Sequence, residues 1–203
     1  MASEVPGTEG YSNVLDKFIE ATLSIDFAEL HRDFMPFIPQ KPGNILDLGA
    51  GIGRDASAFS SMGHTVTAVE PSEKLLETGK TLYAGFPIHW IYDSLPDLQC
   101  LNPRLKFDFI LASGVWHHLS PDEQSISIKK VSELLTENGV FALSLRNGPA
   151  GGGTCVYPTH ANKILNQAEQ NGLKTLLFLE NQPSLLKGKE EVKWSRLVFQ
   201  KSL

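Results

Sequence analysis

Residues 45–56, ILDLGAGIGRDA, decide how this chain is read. The apolar run from Ile45 to Leu48 reads as a buried strand, and glycines at 49, 51 and 53 follow it before a helical pattern begins at Arg54. Glycine in such a strand-to-helix turn permits a tight reversal and lets a ligand approach the backbone closely. Asp47 and Ala50 stand within the same run. A dinucleotide fold asks for glycine or alanine at the last position of G-x-G-x-x-G, and counting from Gly49 that position is Arg54. An ordinary tight connection is the alternative reading of the turn taken alone.

Working outward, TVTAVEPS ends a second strand in Glu70, about 20 residues after the turn, where a carboxylate can accept hydrogen bonds from both ribose hydroxyls of a nucleoside. A strand-end glutamate facing solvent is the alternative, but turn and acid together favour a bound nucleoside. Segments of strand and helix character then alternate: NILDL, RDASAFSSM, TVTAVE, SEKLLETGK, IHWIY, FDFILAS, an amphipathic helix and VFALSL. This alternation predicts an α/β fold whose parallel sheet is covered on both faces. The amphipathic helix is expected from about Pro121 to Glu137, with Ser120 as cap, Glu123 completing a capping box and Gly139 as terminator. Another helix is expected from about Thr159 to Gln170, stopped by Asn171 and Gly172. LKTLLFLE and VKWSRLVFQ lie too close for a crossover helix and should pair as an antiparallel hairpin.

Ahead of the Pro-spaced connection at Pro36, Pro39 and Pro42, apolar Val14, Leu15, Phe18, Ile19 and Leu23 recur at helical spacing. Asp26 with Glu29 makes a capping-box pair for a second short helix. Ligands in open α/β sheets bind beyond the carboxyl ends of the strands, so these helices can cover such a pocket as a lid. One domain is expected over residues 1–203, with 1–40 as the helical lid and 41–203 as a Rossmann-like core.

Composition narrows the function. No apolar run approaches the roughly 20 residues that span a bilayer, and MASEVPGTEG lacks the basic and apolar regions of a signal peptide, so a cytoplasmic protein without a membrane partner is expected. Cys100 and Cys155 sit in no metal-ligand or C-x-x-C pattern, so neither structural metal nor a redox pair is expected. A net charge of −5 disfavours binding to nucleic acid through phosphates and favours a small-molecule partner.

The first motif, D-x-G-x-G-x-G at Asp47 to Gly53, combined with Glu70, resembles the class I S-adenosylmethionine-dependent methyltransferases, especially their small methyltransferase-domain enzymes. The resemblance covers roughly residues 11 to 200. It implies a seven-stranded sheet, mostly parallel with the C-terminal hairpin antiparallel, and S-adenosylmethionine as cofactor, leaving as S-adenosylhomocysteine. It further implies that Asp47, Gly49, Ala50 and Gly51 meet the methionine part of the cofactor, and that Glu70, with Pro71 beside it, holds the ribose. Asp93 and Ser94 in WIYDSLP would meet the adenine, although the helix usual before the fourth strand is here only a short segment around DLQCLNPRLK. Ser113, Gly114 and Val115 in FDFILASGVWHHLS would line the methionine end.

Methyl transfer from a sulfonium needs alignment and exclusion of water, and needs a base only if the acceptor must lose a proton. His118, preferred over His117, is the candidate base for a hydroxyl or amine acceptor; loop and helix-cap hydrogen bonding is the alternative for both. Trp116 can wall the acceptor pocket or pack beneath the loop. SLRNGPAGGGTCVYP follows the fifth strand and is glycine-rich as a mobile loop would be, which makes it the candidate for acceptor selection. Within it Arg146 can pair with an acidic acceptor, with Asn147 and Tyr157 adding hydrogen bonds; Tyr11 is the lid contact. Each of these residues also has a plain structural reading. Trp194 and Arg196 share one side of the last strand by period two, and their simplest role is sheet-edge packing. The competing functions are methylation of RNA or protein by the same fold, a non-catalytic cofactor-binding module, and an NAD-dependent oxidoreductase, which the register counted from Gly49 opposes. No N/D-P-P-Y/F tetrapeptide of nucleic-acid amino-methylating enzymes occurs.

Overall fold

Seven runs of alternating or continuous apolar character form one sheet in the computed structural model, which describes residues 5–202. The strands are β1 (Asn44–Leu48), β2 (Thr65–Glu70), β3 (Ile88–Tyr92), β4 (Phe107–Ser113), β5 (Leu135–Asn147), β6 (Leu173–Pro183) and β7 (Lys193–Lys201). The helices are α1 (Leu15–Leu23), α2 (Phe27–Leu30), α3 (Arg54–Ser61), α4 (Glu73–Leu82), α5 (Pro121–Leu134) and α6 (Ala161–Gln170). The strand order is β3-β2-β1-β4-β5-β7-β6, parallel from β3 to β5, with β7 antiparallel to both β5 and β6. Chain order runs outward from β1 to β3 in one direction and from β4 to β5 in the other. The crevice beyond the carboxyl ends of β1 and β4 is therefore the switch point at which such sheets take ligands.

Period two sorts the strand side chains into two apolar layers. Leu46, Leu48, Ile110 and Ala112 face Ile128 and Val131 of α5 and Ile164 and Ala168 of α6. Ile45, Phe109 and Leu111 face the opposite layer, built with Phe59 of α3 and with Phe27, Phe34 and Ile38 from the segment before β1. Local chemistry places the helix starts. Ser120 Oγ accepts from Glu123 N while the Glu123 carboxylate accepts from Ser120 N at 2.7 Å, the reciprocal box expected at α5. Asp26 caps α2 through Ala28 N and Glu29 N, and Ser72 caps α4.

The structure departs from expectation in two places. Helix α5 stops at Leu134 rather than Glu137, because Leu135 is already extended and pairs with Phe107. Gly139 belongs to the ensuing register shift: a Cβ there would lie 2.9 Å from Thr136 O and 3.0 Å from Phe107 O. Between β3 and β4 there is no helix at all. Instead both oxygens of Asp93 accept backbone N–H bonds, from Ser94 and Gln99 on one and from Cys100 and Leu101 on the other, and these shape the segment.

Gly53 has φ +85°, and a Cβ on it would enter the Trp90 indole, 2.8 Å from Cζ2. Gly53→Ala is expected to destabilise the fold by about 2 to 5 kcal/mol, the left-handed backbone and the overpacked ring adding together. Urea unfolding checks this; a midpoint equal to that of the parent would show that the turn adapts without cost. Among the described residues no helix is long and apolar enough to cross a membrane.

Candidate active site

The turn after β1 is held from two sides. Gly49 N and Ala50 N both donate to Val69 O, at 2.8 and 3.0 Å, and Gly51 N donates to Glu70 Oε2 at 2.7 Å. Ser72 N donates to the other carboxylate oxygen at 2.8 Å. Burial pushes Glu70 up to about 7, against the two amides that favour its charged form. Asp47 lies behind the turn, fully enclosed, and does not line the cavity that the turn faces. Its pKa is held well above the usual range, by burial first and the neighbouring Asp55 second. Its backbone hydrogen-bond partner is Ala56 in α3, and its Oδ2 is buried without a partner among the described residues.

A cavity of about 660 Å³ opens over this turn. Gly49, Ala50, Gly51, Glu70 and Pro71 form its floor, Asp93 and Ser94 one wall, and Ser113, Gly114 and Val115 the next. Gly114 N donates to Ser144 Oγ at 2.9 Å, which ties that wall to β5. Tyr11, Val14 and Phe18 close the cavity from above, and a Cβ on Gly51 would stop 3.4 Å from the Phe18 ring. The lining continues along the expected lid through Ala21, Thr22 and Ile25 to Leu30, and residues 1–4 lie outside the described residues. Helix α1 buries no residue fully, whereas Phe27, Phe34 and Ile38 are core. Polar ties hold the segment before β1, among them Arg54 Nη1 to Thr22 O at 3.0 Å, His31 Nε2 to Asp55 Oδ2 at 2.9 Å, and Arg196 Nε to Asp33 Oδ2 at 2.9 Å. Burial alone would raise Asp55, but His31 and Arg54 outweigh it and keep it well below the usual carboxylate range.

At the far end of the cavity Tyr11 Oη lies 2.9 Å from His118 Nε2, and His118 Nδ1 lies 2.9 Å from Cys155 O. A carbonyl can only accept, so Nδ1 carries the proton and Nε2 accepts from the tyrosine hydroxyl. His118 therefore reaches the cavity through Tyr11 rather than with a free nitrogen. Burial and the nearby Arg146 lower its pKa, and the Cys155 carbonyl opposes them. Burial raises Tyr11 to about 12. His117 also lines the cavity, with Nδ1 buried and unpartnered among the described residues; burial, then His118 and Arg146, lower it to about 2.

The glycine-rich loop after β5 is glycine-rich for contact rather than for mobility. A Cβ on Gly153 would lie 2.5 Å from His118 Cε1 and 2.8 Å from Tyr11 Cε2, and Thr154 N donates to Glu9 O at 3.0 Å. Three expected acceptor contacts lie elsewhere. Trp116 is sealed in the core against Phe141. Asn147 is consumed by Thr159, to whose carbonyl it donates and from whose N–H and hydroxyl it accepts, and it faces away from the cavity. Tyr157 stands outside the cavity, its backbone N–H on His117 O. Arg146 does line it, with Nη2 donating to Pro149 O at 2.7 Å. Trp194 and Arg196, read from the sequence as sheet-edge packing, line it too. They lie opposite Arg146 and Ser144 in register, on a strand that is interior to the sheet.

Comparison with known proteins agrees with this fold. Residues 45–139 match the methyltransferase domain family. An uncharacterized methyltransferase of Bacillus cereus is 28% identical over 150 residues, 70% of this chain and 68% of the relative. Among solved structures, a TehB-like SAM-dependent methyltransferase from Corynebacterium glutamicum superimposes with a TM-score of 0.71 at 21% identity, covering 94% of this chain and 97% of that one. The 1,6-didemethyltoxoflavin-N1-methyltransferase of Burkholderia thailandensis, solved with 1,6-didemethyltoxoflavin and S-adenosylhomocysteine bound, gives 0.66 at 18% identity, covering 100% and 94%.

Proposed function

We propose that this chain, whose residues 45–139 match the methyltransferase domain family, is a class I S-adenosylmethionine-dependent methyltransferase that methylates an oxygen or nitrogen of a small-molecule acceptor. One observation carries the reading: a single covered cavity joins the Gly51–Glu70 turn to the Tyr11–His118 pair. The turn suits the cofactor. A carboxylate has roughly four acceptor positions, and Glu70, which lines the cavity, uses two of them on Gly51 N and Ser72 N. Two remain for the ribose hydroxyls. Gly49, Ala50 and Gly51 would lie under the methionine part, Ser113 to Val115 beside it, and the segment shaped by Asp93 next to the adenine. When bound, S-adenosylmethionine supplies a methyl group on a sulfonium that departs as a neutral thioether.

The residues at the other end of the cavity handle the acceptor's proton. As the acceptor atom bonds to the methyl carbon, its proton passes to Tyr11 Oη while the tyrosine's own proton passes to His118 Nε2. The imidazolium so formed keeps its Nδ1–H on the Cys155 carbonyl. Val14 and Phe18 exclude water from above. Radiolabelled methyl transfer into cell extract, fractionated into small molecules, protein and RNA, tests the assignment. Label confined to RNA or protein would defeat the small-molecule reading, and no label with intact S-adenosylhomocysteine binding would defeat catalysis.

Cofactor affinity should depend on pH with a definite sign. Ribose hydroxyls donate to the carboxylate form of Glu70, whose pKa is raised to about 7. Affinity for S-adenosylhomocysteine is therefore expected to fall as pH drops below about 7, approaching tenfold per unit. Calorimetry between pH 5.5 and 8.5 checks this, and Glu70→Gln should flatten the profile. An equally steep profile in Glu70→Gln would place the titrating group elsewhere.

A further inference from the structure

We propose that the acceptor is an anionic small molecule, a carboxylic acid with an apolar body, whose carboxylate is held by the Arg146 guanidinium; the proposal rests on the reading of this cavity as a methyltransferase site. Three guanidinium groups line the cavity, and two are already matched. Arg54 Nε is 2.7 Å from Asp55 Oδ1, and Arg196 Nε is 2.9 Å from Asp33 Oδ2. Arg146 has no carboxylate partner among the described residues, and its one hydrogen bond goes to the neutral carbonyl of Pro149. With five N–H donors in a rigid fork, it has the geometry that receives a planar carboxylate in two parallel hydrogen bonds. The acids of the lining cannot supply that partner. Asp55 is taken by His31 and Arg54, Asp93 by its own segment, and Glu70, held at the turn by Gly51 N and Ser72 N, makes no ion pair with Arg146.

The surroundings describe the rest of the acceptor. Arg146 stands directly opposite Trp194 in the β5–β7 register, so the two side chains rise from the same face. The Trp194 ring reaches over to β4, 3.6 Å from where a Cβ on Gly114 would be. Leu185, Leu186 and Val192, from the connection between β6 and β7, complete an apolar wall. A charged fork beside such a wall fits a ligand with a carboxylate at one end and an apolar frame behind it. The same pairing assists the proton step. Arg146 is among the groups that lower His118, so an anion on its guanidinium relieves that effect only while the acceptor is in place.

Thermal shift and calorimetry on protein saturated with S-adenosylhomocysteine test the proposal without turnover. Benzoate, 4-hydroxybenzoate and octanoate are compared with benzamide, octanamide and phenyl phosphate. At least one carboxylate is expected to raise Tm and its matched amide is not. Arg146→Gln is expected to weaken the carboxylate tenfold or more while binding S-adenosylhomocysteine as the parent does, and Arg146→Lys to recover part of the loss. Four outcomes overturn the assignment: no shift from any carboxylate, equal binding of acid and amide, a response to phenyl phosphate alone, or undiminished carboxylate binding in Arg146→Gln. Loss of S-adenosylhomocysteine binding in Arg146→Gln would also overturn it, by giving the guanidinium to the cofactor's own carboxylate. Failure of the parent protein to bind S-adenosylhomocysteine would instead remove the methyltransferase reading beneath it.

Discussion

His118→Ala is expected to lower turnover by about 10²- to 10⁴-fold, the usual contribution of a general base, while S-adenosylhomocysteine affinity stays within about twofold of the parent. The hydrogen bond from Tyr11 Oη to His118 Nε2 makes the two residues one unit. Tyr11→Phe should therefore cost a similar factor, and the double variant little more than either alone. Because Gly153 packs on the imidazole, alanine at 118 leaves a void; His118→Gln keeps most of the volume and should show the same loss of rate. The pH dependence has a fixed sign. Only the neutral imidazole can take the tyrosine's proton, and burial lowers its pKa, so the parent rate should be flat at neutral pH and fall on the acid side of the ordinary histidine range. Near-parental turnover in Tyr11→Phe would break the relay and leave alignment alone as the source of rate.

The second large effect is expected at the other end of the cavity. Glu70→Ala removes the acceptor proposed for the ribose hydroxyls and also the partner of Gly51 N. Hydrogen bonds to a charged group are worth about 1 to 3 kcal/mol, so S-adenosylhomocysteine should bind roughly 5- to 150-fold more weakly by calorimetry. The fold should survive, because burying this carboxylate is itself unfavourable: its folded pKa near 7 stands above the ordinary value of 4.5, and so its ionisation works against the folded state as pH rises through that interval. Unchanged affinity in a folded Glu70→Ala protein would move the ribose site away from this residue.

What could be read from the sequence was whatever is written locally. The β1 strand, the glycines after it and the strand ending in Glu70 are contiguous signals, and the Ser120–Glu123 box announces α5 within four residues. The end of α5 was not legible, because Leu135 leaves the helix to pair with Phe107 on a distant strand. Arg146 and Asn147 look alike as polar neighbours in one loop, yet successive residues of a strand face opposite ways, and only Arg146 meets the cavity. Trp194 and Arg196 were seen to share a side. That this side walls the cavity follows from β7 lying inside the sheet, which depends on strand order and not on β7 itself. Trp116, flanking the histidines, is wholly buried against Phe141 even though its Nε1 has no hydrogen-bond partner among the described residues, an outcome set by packing that its neighbours in sequence do not announce.

The interior place of β7 also bears on how the protein is made. On the ribosome β7 is the last of the seven strands to emerge, yet it is the one that separates β5 from β6. A nascent chain thus carries β5 with an open edge, and β6 with no neighbour, until Lys193–Lys201 has left the exit tunnel, a state that invites pairing with other chains. Asp33, made long before, waits for Arg196 in the same interval. The same strand that closes the sheet between β5 and β6 also carries Trp194 and Arg196 into the cavity lining.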